Sequence, residues 1–69
     1  MAANSKEISV DNVKVGLSFQ NGNILYHVKN EDTNGVGKNN DLQEAMFDAD
    51  VPATKTNFIV RAVKKALGF

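Results

Sequence analysis

The sequence has no cysteine, no tryptophan, one proline (Pro52) and one histidine (His27). Without cysteine, no disulfide can brace the fold and no thiolate can attack a substrate or hold a metal. Nucleophilic catalysis needs a nucleophile, a base and a group to orient the base, and a single imidazole leaves few ways to build that set. Ser5, Ser9 and Ser18 fall in or beside expected strands, and His27 belongs to an outward strand face. Asp41, Glu44 and Asp48 share one face of an expected helix, an arrangement commoner in solvated surfaces than in acid–base pairs. Gly35 and Gly37 lack the spacing of a phosphate-cradling loop, and no serine or threonine follows Lys38. The chain is therefore expected to be no enzyme and to need no cofactor.

An excess of charge is missing too. Eight basic and eight acidic residues cancel to a formal net charge of zero, whereas a dedicated nucleic-acid binder usually carries a basic excess. No apolar run approaches the ~20 residues of a membrane-spanning helix. The polar opening MAANSKEISV has no apolar core of the kind a secretory signal needs. A soluble cytoplasmic protein is expected.

What is present is enough apolar material for a fold: 42% hydrophobic residues in 69. That length makes one domain, 1–69, with residues 1–6 expected to be flexible. A chain this short buries only about 60% of the surface its unfolded form exposes, so a second chain is a natural source of further support.

From Glu7 to Asn30 the apolar residues recur with period two. Val13, Val15, Leu17 and Phe19 alternate with Lys14, Gly16 and Ser18; beyond a turn, Ile24, Tyr26 and Val28 alternate with Leu25, His27 and Lys29. Asn21-Gly22 is the favoured pair for a two-residue type I′ turn, in which both positions need positive φ. That turn sets Phe19 against Ile24, Leu17 against Tyr26 and Val15 against Val28, all on one face. A slip of one residue would turn that face to solvent. It also sets Lys14 against Lys29, a mildly unfavourable like-charge pair. Ile8 and Val10 have the opposite parity, and a tight turn at Asp11-Asn12 would return them as a third strand.

The stretch NEDTNGVGKNND, residues 30–41, approximates the spacing of a calcium loop, with Asn30, Asp32 and Asn34 at positions one, three and five, Gly35 at six and Asp41 at twelve. Calcium takes six to eight oxygens and usually a bidentate Glu at position twelve. Two Asn replace carboxylates here, Asp41 is short, and Lys38 brings a positive charge into the ring. The stretch reads as a loop and no metal site is expected.

From Asn40 the period shifts toward 3.6. Asn40 is an expected N-cap with Gln43 at N3, followed by the apolar stripe Leu42, Ala45, Met46 and Ala49 over residues 41–49. Pro52 ends this helix. A second begins after Thr54 or Thr56 and runs to Leu67, with Gly68 as its C-cap. Phe58, Ile59, Val60, Ala62, Val63, Ala66 and Leu67 fill an arc of about 200° at ~100° per residue, where a stripe somewhat over 100° suffices to face a core. Val60, Leu67 and Phe69 are the candidate interface with another chain, most simply a symmetric homodimer. Arg61, Lys64 and Lys65 occupy the rest of the helix, Lys14, His27 and Lys29 make a second modest basic surface on the outer sheet face, and the cations of both are candidate phosphate contacts. Phe19, Tyr26 and Phe58 are expected to point inward, leaving no aromatic platform for stacking bases.

The expected architecture is α+β: a two- or three-stranded antiparallel meander followed by two α-helices packed on one sheet face. The expected function is that of a small non-enzymatic interaction module, a regulator or inhibitor occupying a partner's surface. The alternative is a nucleic-acid-binding accessory protein using the basic side of the last helix.

Overall fold

The computed structural model describes residues 6–67. Among them the order is four strands, β1 (Lys6–Val10), β2 (Val13–Gln20), β3 (Asn23–Asn30) and β4 (Gly35–Asn39), then helices α1 (Leu42–Asp48) and α2 (Ala53–Leu67). The strands form one antiparallel sheet in the order β1-β2-β3-β4. The flexibility expected of residues 1–6 concerns residues 1–5, which lie outside the described part; Lys6 already opens β1.

The β2–β3 register is the expected one: Val15 pairs with Val28, Leu17 with Tyr26, Phe19 with Ile24 and Gln20 with Asn23. The turn between them holds Asn21 at φ 53° and Gly22 at φ 80°, the two positive angles of a type I′ turn. Asp11 and Asn12 adopt φ 50° and 64°, so the β1–β2 connection has the same geometry and delivers Ile8 opposite Val15. A third strand on that side was expected. The fourth was not, because β4 lies inside the stretch read as a loop.

The strand GVGKN has neither an apolar alternation nor β-branched residues beyond Val36, and glycine weakens a strand taken alone. Its two glycines are explained by the helix above it. A Cβ on Gly35 would lie 2.5 Å from the Ala49 carbonyl oxygen, and one on Gly37 would land on the Ala45 carbonyl oxygen. Helix α1 rests on β4 almost backbone to backbone, with Ala45 and Ala49 as its own small contacts. A side chain at either glycine would lift the helix.

The N-cap of α1 is Asp41, not Asn40. Its side chain accepts the Gln43 N–H at 2.9 Å, which places Gln43 at N2, one position short of a capping box. Asn40 instead donates from Nδ2 to the Ile24 carbonyl at 2.7 Å, tying the helix entry to β3. Helix α2 begins at Ala53, immediately after Pro52, rather than beyond Thr54.

Both helices cover the same sheet face. The core joins Val13, Val15 and Val28 of the sheet to Ala45, Met46 and Ala49 of α1, Val51 of the connection, and Ile59 and Val63 of α2. Leu17 is also buried. No aromatic ring is among the buried residues of the described chain; Tyr26 packs against the core from its margin. The one buried polar residue among those described, Asn30, donates to the Asp50 carbonyl at 3.1 Å and accepts the Asp32 N–H at 3.0 Å. It thereby pins the end of β3 to the α1–α2 connection, where Asp50 holds a left-handed φ of 62°.

Candidate interaction surfaces

The calcium-like spacing does not gather its residues around one point. Both polar atoms of the Asn30 side chain serve the fold, Asp32 lies 3.7 Å from Lys55 Nζ and 3.3 Å from Asn12 Nδ2, and Asp41 caps α1 on the far side of β4. Among the described residues no group of three or more His, Asp or Glu stands where it could hold a metal ion. Lys55 also reaches Asp11 at 3.2 Å, so it links the β1–β2 turn, the β3–β4 loop and α2 at one end of the molecule. With Lys55 about one-third exposed, such pairs contribute ~0–1 kcal/mol, and their role is to align the elements.

The residues singled out on α2 meet different fates. Ile59 and Val63 are fully buried, Val60 and Ala62 are half-buried, and Phe58 and Ala66 are exposed. Val60 packs against the core, so only part of it is offered outward. Leu67 is the last residue of α2, and Phe69 lies outside the described residues. Arg61, Lys64 and Lys65 are exposed.

Lys14 and Lys29 are not on the same side of the molecule as those three. They alternate with buried Val13, Val15 and Val28 and project from the sheet face that carries no helix. The sheet separates the two basic groups, and the five cations cannot form one surface. Lys38 of β4 joins Lys14 and Lys29 on the open face, and it was missed because β4 was missed. His27 stands between Gly16 and Lys38 in the register.

Aromatic placement departs most from expectation. Phe19 is 50% exposed, Phe47 78% and Phe58 59%; Phe19 and Phe58 were expected inside. Phe19 extends from the end of the sheet at the Asn21-Gly22 turn, and Phe58 is about 100° around α2 from buried Ile59. Phe47 lies off the apolar stripe of α1 and, with Asp41, Gln43 and Glu44, lines an open depression of about 360 Å³. Its signal was legible: Phe47 breaks the i, i+3, i+4, i+7 pattern set by Leu42, Ala45, Met46 and Ala49. Among the described residues no helix is long and apolar enough to cross a membrane.

No known protein family, curated protein or solved structure matches this chain.

Proposed function

We propose that this protein is a small non-enzymatic interaction module, a regulator or inhibitor that docks through exposed aromatic side chains on its helical layer. The observation that carries the reading is that none of the described phenylalanines, Phe19, Phe47 and Phe58, lies in the core. Burying a Phe side chain is worth about 1.5–3 kcal/mol, and a domain of this size has few such contributions to forgo. Yet the core is built from Val, Ala, Met, Ile and Leu, while Phe47 and Phe58 stand mostly in water. Aromatic anchors of this kind dominate the energetics of protein interfaces.

The first partner is a second copy of the chain, paired about a two-fold axis through α2. Phe58 and the outward part of Val60 supply its centre; the expected contribution of Phe69 lies outside the described residues. The alternative reading, a nucleic-acid-binding accessory protein using the basic side of α2, is supported only by the exposure of Arg61, Lys64 and Lys65. Light scattering tests the module. The wild type should give twice the chain mass at high concentration, and Phe58→Asp should give the single-chain mass with an unchanged far-ultraviolet spectrum. A monomeric wild type would remove the dimer; Phe58→Asp that still dimerises would place the contact elsewhere.

A further inference from the structure

We propose that the open face of the sheet binds duplex nucleic acid through its phosphate backbone, with Lys14, Lys29 and Lys38 as the contacting cations. This does not rest on the dimer or on the exposed phenylalanines, which belong to the other side of the sheet.

The chain is neutral overall, but its charges are segregated. In the register, Ser9, Lys14, Lys29 and Val36 make one row across the open face, and Glu7, Gly16, His27 and Lys38 make the next. Three lysines on three adjacent strands therefore surround His27, and Glu7 is the one acidic residue in these two rows. Glu31 reaches Lys14 from the β3–β4 loop at a distant 3.9 Å. Among the described residues, Lys29 and Lys38 form no ion pair. The remaining carboxylates are elsewhere: Asp11 and Asp32 are held by Lys55, Asp41 caps α1, Glu44 and Asp48 belong to α1, and Asp50 follows it.

Lys14 directly opposes Lys29, which costs the isolated sheet a little stability. A polyanion lying across both would reverse the sign of that cost. The chemistry of the face selects among polyanions. It holds lysine and no arginine, so it lacks the planar fork that pairs carboxylates two-point. Lysine is depleted from protein interfaces while arginine and aromatics are enriched. Phosphate contact needs only mobile positive groups at reachable spacing. Among the described residues no Phe, Tyr or Trp projects from this face, and His27 is the single ring it offers to an unpaired base. A duplex presents phosphates without requiring stacking, and that is the occupant the face fits.

The test is fluorescence anisotropy with a labelled 20-base-pair DNA duplex of arbitrary sequence, titrated across salt. Three phosphate contacts predict that wild-type affinity falls roughly 40-fold between about 50 and 200 mM salt. Lys29→Glu with Lys38→Glu should lower low-salt affinity at least tenfold, and Lys29→Gln with Lys38→Gln should reduce the logarithmic salt slope by about 2. The Gln pair keeps the test decisive if the Glu pair does not fold. Arg61→Glu with Lys64→Glu, on α2, should leave binding unchanged. The proposal is overturned by no duplex binding at low salt, by an equal loss in the α2 variant, by tighter binding to phosphatidylserine vesicles, or by equal competition from polyglutamate.

Discussion

One face of the sheet is closed by two helices, and the other stands open. Both are made from the same strands, a residue apart. Val13, Val15, Leu17 and Val28 project one way into a core in which Met46, Ile59 and Val63 are fully buried; Lys14, Ser18, His27 and Lys29 project the other way. The covered face is decided by volume: α1 can lie on it because Gly35, Gly37, Ala45 and Ala49 keep the α1–β4 separation small. The open face is decided by charge, and nothing in the fold requires its lysines. The contrast separates residues the molecule needs in order to fold from those it can offer to something else.

Breaking the covered face should have the largest effect. Leu17→Ala and Ile59→Ala are each expected to destabilise by about 2–5 kcal/mol in urea denaturation, the range for core truncations. In a domain with ~5–15 kcal/mol to lose, either can unfold much of the population. Gly37→Ala adds a methyl group instead of removing one, and it should cost about 3 kcal/mol, the upper end for overpacking, because the obstacle is backbone and cannot rotate away. A Gly37→Ala midpoint equal to wild type would mean that α1 stands off β4.

Asn30→Ala should cost about 1 kcal/mol by removing the partners of the part-buried Asp50 carbonyl and Asp32 N–H, and Asn30→Asp should not restore it, since a carboxylate cannot donate to the Asp50 carbonyl. Smallest are the open-face changes. Lys29→Gln removes a like-charge cross-strand pair and should be neutral or stabilising by up to about 0.5 kcal/mol. Ser18 Oγ is buried with no hydrogen-bond partner, so Ser18→Ala should likewise not destabilise. A loss of more than 1 kcal/mol in either would show that the open face takes part in the fold.

The same division explains what was readable in the amino-acid sequence. The β2–β3 hairpin could be read to the residue, because period-two alternation and Asn21-Gly22 point to one register. The helices could be read as well, though Asp41 took the cap from Asn40 when Asn40 turned to the Ile24 carbonyl. Strand β4 could not. Its evidence is the absence of side chains, which reads locally as a loop and makes sense only once α1 lies across it. Missing β4 hid the third lysine of the open face, Lys38, beside the expected Lys14, His27 and Lys29. Phe19 and Phe58 misled for a related reason: hydrophobicity predicts burial only where another element arrives to cover the residue.

The central claim is that Phe47 and Phe58 stand outside the core to meet a partner, a second copy first. The most direct test is the thermal unfolding midpoint measured across protein concentration for wild type and Phe58→Asp. A dimer that dissociates on unfolding makes the midpoint rise with concentration. The account predicts that rise for wild type, and for Phe58→Asp a flat line at the dilute wild-type value. A flat wild-type line, or a Phe58→Asp midpoint well below dilute wild type, would contradict it: the first leaves the phenylalanine without a partner copy, and the second makes it part of the fold.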